Sequence, residues 1–389
     1  MNKLRPKNSS LILGIDAFNI RRGGGVTHLI ELLRASNPDK YNFKEVILWG
    51  SSSTLKMVED RDWLKKVHIP LLDYGFLSRI YWHKFLSGKA AINVNCDVVL
   101  CPGGTCLGGF TPAVTMSRNM LPFEWKELKR FGLSIITLKL LLLRLSQIRS
   151  FNKVDGLIFL TKYAFNSISS QINLNGKDIA IIPHGVNDKF LQIYKDPYKS
   201  EFTLDRPCKI LYVSTISPYK HQCNVAKAVS ILRLKGYPVQ VDFVGSSDIG
   251  IKKINNTIKR LDPSGVFITY RGPIPHESLQ DYYNDADIGV FASSCENMPN
   301  ILLENMAAGL PIACSEMGPM PDILGKAGVY FDPLKYNDIE EALRRLIDSK
   351  VLRTKYAKLA NKMAKEYSWK KCANQTFDYL SKVSKIDSN

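Results

Sequence analysis

Short, nearly uninterrupted apolar runs rich in β-formers recur along the whole chain, and longer stretches with helical spacing separate them. In the first half the runs are Leu11–Ile15, Glu45–Trp49, Val98–Cys101, Val114–Ser117, Gly156–Leu160 and Ile179–Ile182. In the second half they are Ile210–Ser214, Gln240–Val244, Phe267–Arg271, Ile288–Ala292, Pro311–Cys314 and Val329–Phe331. A strand without polar alternation is buried on both faces, so this pattern predicts parallel sheets covered by helices on each side. Two series of about six strands predict an α/β protein of two Rossmann-like parallel-sheet domains, over residues 1–190 and 205–368. Between them, Asn187–Pro207 carries Pro197 and Pro207 and keeps no period, which reads as a linker. Helical spacing returns from Trp369 to Val383, and residues 369–389 are expected to form a helix packing back on the first domain.

A chain of 389 residues is long enough for two cores. Its net charge of +17 is the departure from average, and points to an anionic partner: nucleic acid, an anionic membrane surface or a phosphorylated small molecule. Aromatic residues do not interleave with a basic run, which speaks against nucleic acid. The opening MNKLRPKNSSLILGID lacks a secretory apolar region, and no run of about 18 uncharged apolar residues occurs. The eight cysteines include no CxxC pair and read as reduced thiols, with the cytoplasm as the expected compartment.

Ligands of open α/β sheets sit beyond the carboxyl ends of strands, often at a helix start. Three such places in the second half carry suggestive residues. The loop Thr215-Ile216-Ser217-Pro218-Tyr219-Lys220 ends on a lysine that can set a point charge on a phosphate. After Ile288–Ala292, Glu296 lies in a turn and Glu304 lies inside the following helix, in Ile-Leu-Leu-Glu-Asn-Met. A carboxylate there needs a partner, and sugar or ribose hydroxyls are suitable ones. The third place is Arg271-Gly272-Pro273-Ile274, where a glycine permits a flat base to approach. In the first half, Gly23-Gly24-Gly25 opens a helix and can aim amides at anionic oxygen, although His28 breaks the dinucleotide fingerprint.

The segment ENMPNILLENMAAGLPI, with Glu296-x7-Glu304, resembles the signature of retaining nucleotide-sugar glycosyltransferases with two Rossmann-like domains facing a cleft, the GT-B type. It is similar to the group 1 enzymes of bacterial polysaccharide and lipopolysaccharide synthesis. Ile182-Pro183-His184-Gly185-Val186, Tyr212 to Lys220, Gly318 to Ile323 and Gly328 to Pro333 match other motifs of that family in order. The resemblance implies that Lys220 binds the donor diphosphate, Glu296 the donor sugar and Glu304 the ribose diol. It further implies that amides near Asn300 and Ile301 help neutralise phosphate, that Gly272 and Ile274 flank the base, and that Gly24 and Gly25 lie near the phosphates. Two departures stand out: Thr215 replaces an arginine common in relatives, and Asn297 replaces the glycine after Glu296. The histidine that relatives place after the strand matching Val114–Ser117 is missing. Arg118 and Asn119 stand there and are the candidates for its role, while His184 reads as structural.

The activity implied is transfer of a sugar, with retention, from a nucleoside-diphosphate sugar to a hydroxyl of a glycan or lipid-linked acceptor. No cofactor and no metal are expected, because Asp60-Arg61-Asp62 and Asp285-Ala286-Asp287 are short patterns that arise by chance. A sugar-nucleotide epimerase, or a non-catalytic sugar-binding subunit, would share the architecture. Finally, a single helix over Lys126–Gln147 would gather Lys126, Lys129, Arg130, Thr137, Arg144 and Gln147 within an arc of about 140°. Its basic, leucine-rich composition suits either a core helix or an anionic membrane surface, with the protein peripheral on the inner face of the cell membrane.

Overall fold

The structure is a computed structural model and describes residues 10–21, 23–191, 201–247 and 250–386. Arg22 and residues 192–200 of the expected linker therefore lie outside the described residues. The chain divides into two compact units. The first contains residues 1–123, 138–185 and 369–389, and the second 124–137 and 186–368.

The first unit holds a seven-stranded sheet of β1 (Leu11–Asp16), β2 (Phe43–Gly50), β3 (Leu64–His68), β4 (Val98–Cys101), β5 (Ala113–Ser117), β6 (Gly156–Phe159) and β7 (Asp178–Ile181). Their order is β3-β2-β1-β4-β5-β6-β7, and every pairing is parallel. The central strands β1, β4, β5 and β6 are buried throughout, as their unbroken apolar sequences require. Apolar runs predict six of these strands, and β3 is the seventh. Leu-Lys-Lys-Val-His lies at the sheet edge with Lys65 exposed, so it shows no apolar run. Helix Trp369–Val383 packs in this unit. Its Tyr379 hydroxyl accepts from Leu157 N at 3.0 Å and donates to Asp178 O at 2.7 Å, bridging β6 and β7.

The second unit holds six parallel strands, β8 (Cys208–Val213), β9 (Val239–Val244), β10 (Ile268–Gly272), β11 (Ile288–Phe291), β12 (Ile312–Ser315) and β13 (Gly328–Phe331). Their order, β10-β9-β8-β11-β12-β13, reverses direction between β8 and β11. In open α/β sheets the carboxyl ends of strands at such a reversal are the usual ligand position.

The expected single helix over Lys126–Gln147 is not formed. A short turn of helix, Trp125–Leu128, runs into a 3-10 turn, Lys129–Phe131, and ends at Gly132 with φ 59°. A separate helix, Ile135–Lys153, follows. Gly132 takes a positive φ that a residue with a Cβ rarely adopts, and the helix stops there, so no single helix carries the basic residues before and after it. Lys126, Lys129 and Arg130 belong to the second unit, whereas Arg144 belongs to the first. Arg144 also turns inward, donating to Pro122 O and Gln171 Oε1 at 3.0 Å each.

Candidate functional site

Strand β8 leads into the loop Thr215–Lys220, and β11 into Ala292–Pro299, so two neighbouring carboxyl ends supply most of the second unit's candidate residues. The first loop is pinned at several points. Gln222 Nε2 donates to Thr215 O at 2.9 Å, Tyr212 OH donates to Lys220 O at 2.7 Å, and Ser294 N donates to Tyr219 O at 2.9 Å. His221 then takes a left-handed conformation, φ 52°, held by a 2.8 Å contact between its Nε2 and Ser294 Oγ. A non-glycine residue is strained there, and the two loops bracing each other hold it in place.

This bracing brings Lys220 and Glu296 into a direct ion pair, with side chains only 12% and 14% exposed. The Lys220 ammonium also lies over the Tyr219 and Phe291 rings, 5.2 and 5.4 Å from their centroids. Burial alone would lower its pKa, but Glu296, with Tyr219 and Cys295 adding to it, outweighs that and raises it. Lys220 is therefore a fixed, permanent cation at the switch point. Thr215 Oγ1 approaches Ser246 Oγ at 3.4 Å and brings a hydroxyl, not a charge, to the loop.

Helix Asn300–Ala307 starts after Pro299, and its first N–H groups have no acceptor inside the helix. Asn300 and Ile301 stand at that start, where the helix dipole favours an anion. Asn300 Oδ1 is buried without a hydrogen-bond partner, and Asn297 is buried in the turn before it. One turn into the helix, Glu304 is buried, and each of its oxygens has a donor. Tyr283 OH reaches Oε2 at 2.9 Å and His276 Nε2 reaches Oε1 at 3.1 Å. Gly272 closes β10 at φ 75°, its carbonyl accepts from Gly245 N at 2.8 Å, and Ile274 and His276 follow it. Tyr283 and His276 were not anticipated from the sequence, because neither belongs to a motif or an apolar period.

Within the first unit, Arg118 reaches back to the glycine loop and donates to Gly24 O at 2.6 Å and Gly25 O at 3.3 Å. Burial pulls its guanidinium down to about 10, and its Nε is buried without a partner. Asn119 caps its own turn, Oδ1 accepting from Leu121 N at 3.0 Å. Asp285 binds Lys209 Nζ at 2.7 Å and Asp287 accepts from Lys209 N at 2.9 Å, beside the amino end of β11. Asp60 pairs with Lys66 at 2.6 Å. Among the described residues no group of three or more His, Cys, Asp or Glu side chains is gathered as a metal site.

His184, beside the chain's passage from the first unit to the second, pairs Nδ1 to Nδ1 with His28 at 2.8 Å, and both rings lie against Trp369. One Nδ1 proton is shared by the pair. Burial, then the charge of Arg118, holds His184 neutral, and the same burial together with its partner does so for His28; both pKa values fall well below the usual value. The unfolded chain protonates these histidines below about pH 6.5, whereas the folded one resists, so folding stability is present above that pH and is lost as pH falls. Each histidine should remove about 1.4 kcal/mol per pH unit in that range. Urea midpoints taken between about pH 7.5 and 5.5 should fall in the native chain, and less steeply in a His28→Gln, His184→Gln double variant. Equal slopes would remove these histidines from the account.

Two units, each built on a parallel α/β sheet, match solved structures of the GT-B fold. Sucrose-phosphate synthase from Thermosynechococcus elongatus superposes with a TM-score of 0.76 at 14% identity, covering 96% of this chain and 99% of that one. The Anabaena protein HepE, in complex with UDP and glucose, gives a TM-score of 0.70 at 14% identity, covering 96% and 100%. Residues 207–349 match the family described as glycosyl transferases group 1, and the chain carries a domain of that family in its second unit. The O-antigen chain mannosyltransferase B of Escherichia coli is 27% identical over 176 residues, 43% of this chain and 44% of the relative. The chain spans less than half the length of the curated relatives it matches first.

Proposed function

We propose that the protein transfers a sugar from a nucleoside-diphosphate sugar to a hydroxyl of a glycan or lipid-linked acceptor, with retention at the anomeric carbon, in the assembly of a cell-surface polysaccharide. The observation that carries this reading is the set of Lys220, Glu296 and Glu304 near the β8–β11 switch point: a largely buried cation, a carboxylate paired with it, and a second carboxylate one turn into the helix that follows. The relative named an O-antigen mannosyltransferase and the neighbour solved with UDP and glucose support a sugar nucleotide as donor.

In the reaction the bond from the anomeric carbon to the diphosphate breaks, and a bond to the acceptor oxygen forms on the same face. The acceptor proton passes to the departing phosphate oxygen. Lys220 and the free amides of Asn300 and Ile301 hold the charge that develops on the diphosphate. Glu296 holds hydroxyls of the donor sugar, and Glu304 holds the ribose diol. Arg118 or Asn119 takes the role of the histidine missing from the first unit. No metal takes part, since fixed charge and amide dipoles neutralise the leaving group.

Incubating the protein with a panel of nucleotide sugars in excess EDTA tests both statements. Slow release of nucleoside diphosphate is expected, and it should not depend on added Mn²⁺ or Mg²⁺. Conversion of one sugar nucleotide into another without release would favour an epimerase, and binding without turnover a non-catalytic subunit. Activity that EDTA abolishes and Mn²⁺ restores would overturn the metal-free mechanism.

We further propose that the protein works at the inner face of an anionic membrane, where a lipid-linked acceptor would lie. Helix Ile135–Lys153 supports this, because it buries only Gln147, Ser150 and Phe151 and turns Ile135, Leu138, Leu142 and Leu145 outward.

A further inference from the structure

Glu304 does not stand alone. Its two oxygens each accept one hydrogen bond, from His276 Nε2 at 3.1 Å and from Tyr283 OH at 2.9 Å. An ionised carboxylate offers about four lone-pair positions, so one on each oxygen remains open. Two open positions on one carboxylate match two vicinal hydroxyls, provided the carboxylate plane is fixed.

His276 can donate from Nε2 only if that nitrogen carries the proton. Lys189 decides the matter. Its Nζ lies 3.1 Å from His276 Nδ1 and 3.1 Å from the His276 carbonyl oxygen. An ammonium has only donors, so Nδ1 must accept, which leaves the proton on Nε2, facing Glu304. The ring is held further by Phe190, whose ring meets it edge-on with centroids 5.3 Å apart and meets Tyr283 at 5.5 Å. Burial, and then Glu304 itself, push the Tyr283 phenol well above its usual range, so this group stays a donor. Lys189, His276, Tyr283 and Glu304 thus form one array with every proton assigned. It joins the turn Asp188–Phe190, the loop after β10, helix Leu279–Asp285 and helix Asn300–Ala307.

We propose that Lys189, His276 and Tyr283 are positioning residues that fix the Glu304 carboxylate, and through it set the preference of the site for a ribonucleoside. Lys189 acts by choosing the histidine tautomer, His276 and Tyr283 by taking one lone pair on each oxygen. The inference rests on the reading of Glu304 as the group that takes the ribose diol.

Calorimetric titration of the full chain with the diphosphates of uridine, guanosine, adenosine and cytidine finds the preferred base. The ratio of its dissociation constant to that of the matching 2′,3′-dideoxy compound then isolates the diol contact from phosphate and base. The native protein should prefer the ribose form, and Glu304→Ala should abolish the preference. His276→Ala should reduce it by about ten-fold, the size of one lost charge-assisted hydrogen bond. His276→Gln should restore it, because the glutamine amide nitrogen reaches where Nε2 stands and has no tautomer to choose. Lys189→Met should reduce the preference when His276 is present and leave it unchanged beside His276→Gln. The His276 side chain is 44% exposed, so its replacement spares the core.

An unchanged ratio in His276→Ala, with the preference lost in Glu304→Ala, would overturn the positioning role and leave the Glu304 reading intact. Tighter ribose binding in His276→Ala would overturn it too, showing that the histidine competes with the ligand. A native protein that binds none of the four diphosphates, or does not distinguish ribose from dideoxyribose, would overturn the Glu304 reading and this inference with it.

Discussion

Lys220→Ala is expected to lower turnover by roughly 10²–10³-fold, the usual loss when a group that stabilises developing charge is removed. It should also weaken binding of UDP or GDP by about 1.5–3 kcal/mol, the worth of a charge-assisted contact. Glu296→Ala should behave differently. Glu296 is the ion-pair partner of Lys220, and both side chains are largely buried. A carboxylate that neutralises Lys220 competes with a diphosphate for it. Removing Glu296 leaves an uncompensated, partly buried ammonium, which favours an anionic ligand. Diphosphate affinity should therefore hold or rise in Glu296→Ala, while turnover falls on the proposal that Glu296 holds donor hydroxyls. Opposite signs on affinity from the two halves of one ion pair are hard to produce by general damage to the fold. Calorimetry with UDP and GDP, beside donor hydrolysis rates, reads both quantities. Unchanged diphosphate affinity in both Lys220→Ala and Glu304→Ala would sink the donor assignment.

How far the sequence could be read follows from which contacts are local. Val98–Cys101 and Ile288–Phe291 are legible as strands because burial on both faces forces an apolar run. Leu64–His68 has only an edge to occupy, so its two lysines hide it. Lys126–Gln147 has a helical composition, but it tightens into a 3-10 turn and stops at Gly132, whose positive φ a period count cannot see. The Glu296-x7-Glu304 spacing is visible because a turn and the helix after it fix both residues locally. Their partners are not visible in the same way. Lys220 meets Glu296 across 76 positions, and His276 and Tyr283 meet Glu304 across 28 and 21. Such meetings depend on the order of β8 and β11 in the sheet and on loops with no period of their own. The histidine pair at positions 28 and 184 spans 156 positions and belongs to the same class.

Vesicles containing anionic lipid are expected to carry the protein to the top of a flotation gradient at low salt, and neutral vesicles to carry much less. The basic arc that first suggested a membrane is not formed, since Gly132 divides it and Arg144 is committed to Pro122 and Gln171. What supports the expectation is a different face. Ile135, Leu138, Leu142 and Leu145 follow one another at intervals of three and four, so they share one side of the helix, and each is more than half exposed. Lys139 and Arg149 are exposed on the same helix. Elsewhere, the first unit exposes Phe76, Leu77, Tyr81 and Phe85 beside Lys84 and Lys89. Each cation near an anionic surface contributes about 1 kcal/mol, and that part weakens as salt shortens the reach of charge. Burial of the leucines is nearly indifferent to salt. Replacing Leu138, Leu142 and Leu145 by serine removes about 1 kcal/mol of partitioning per side chain, since each is already partly covered, and should cut vesicle binding by about 10²-fold. Among the described residues no helix is long and apolar enough to cross a membrane. Protein that stays at the bottom of the gradient with anionic vesicles at low salt would defeat the membrane reading. Flotation that the triple serine variant leaves unchanged would show that this face is not the one that binds.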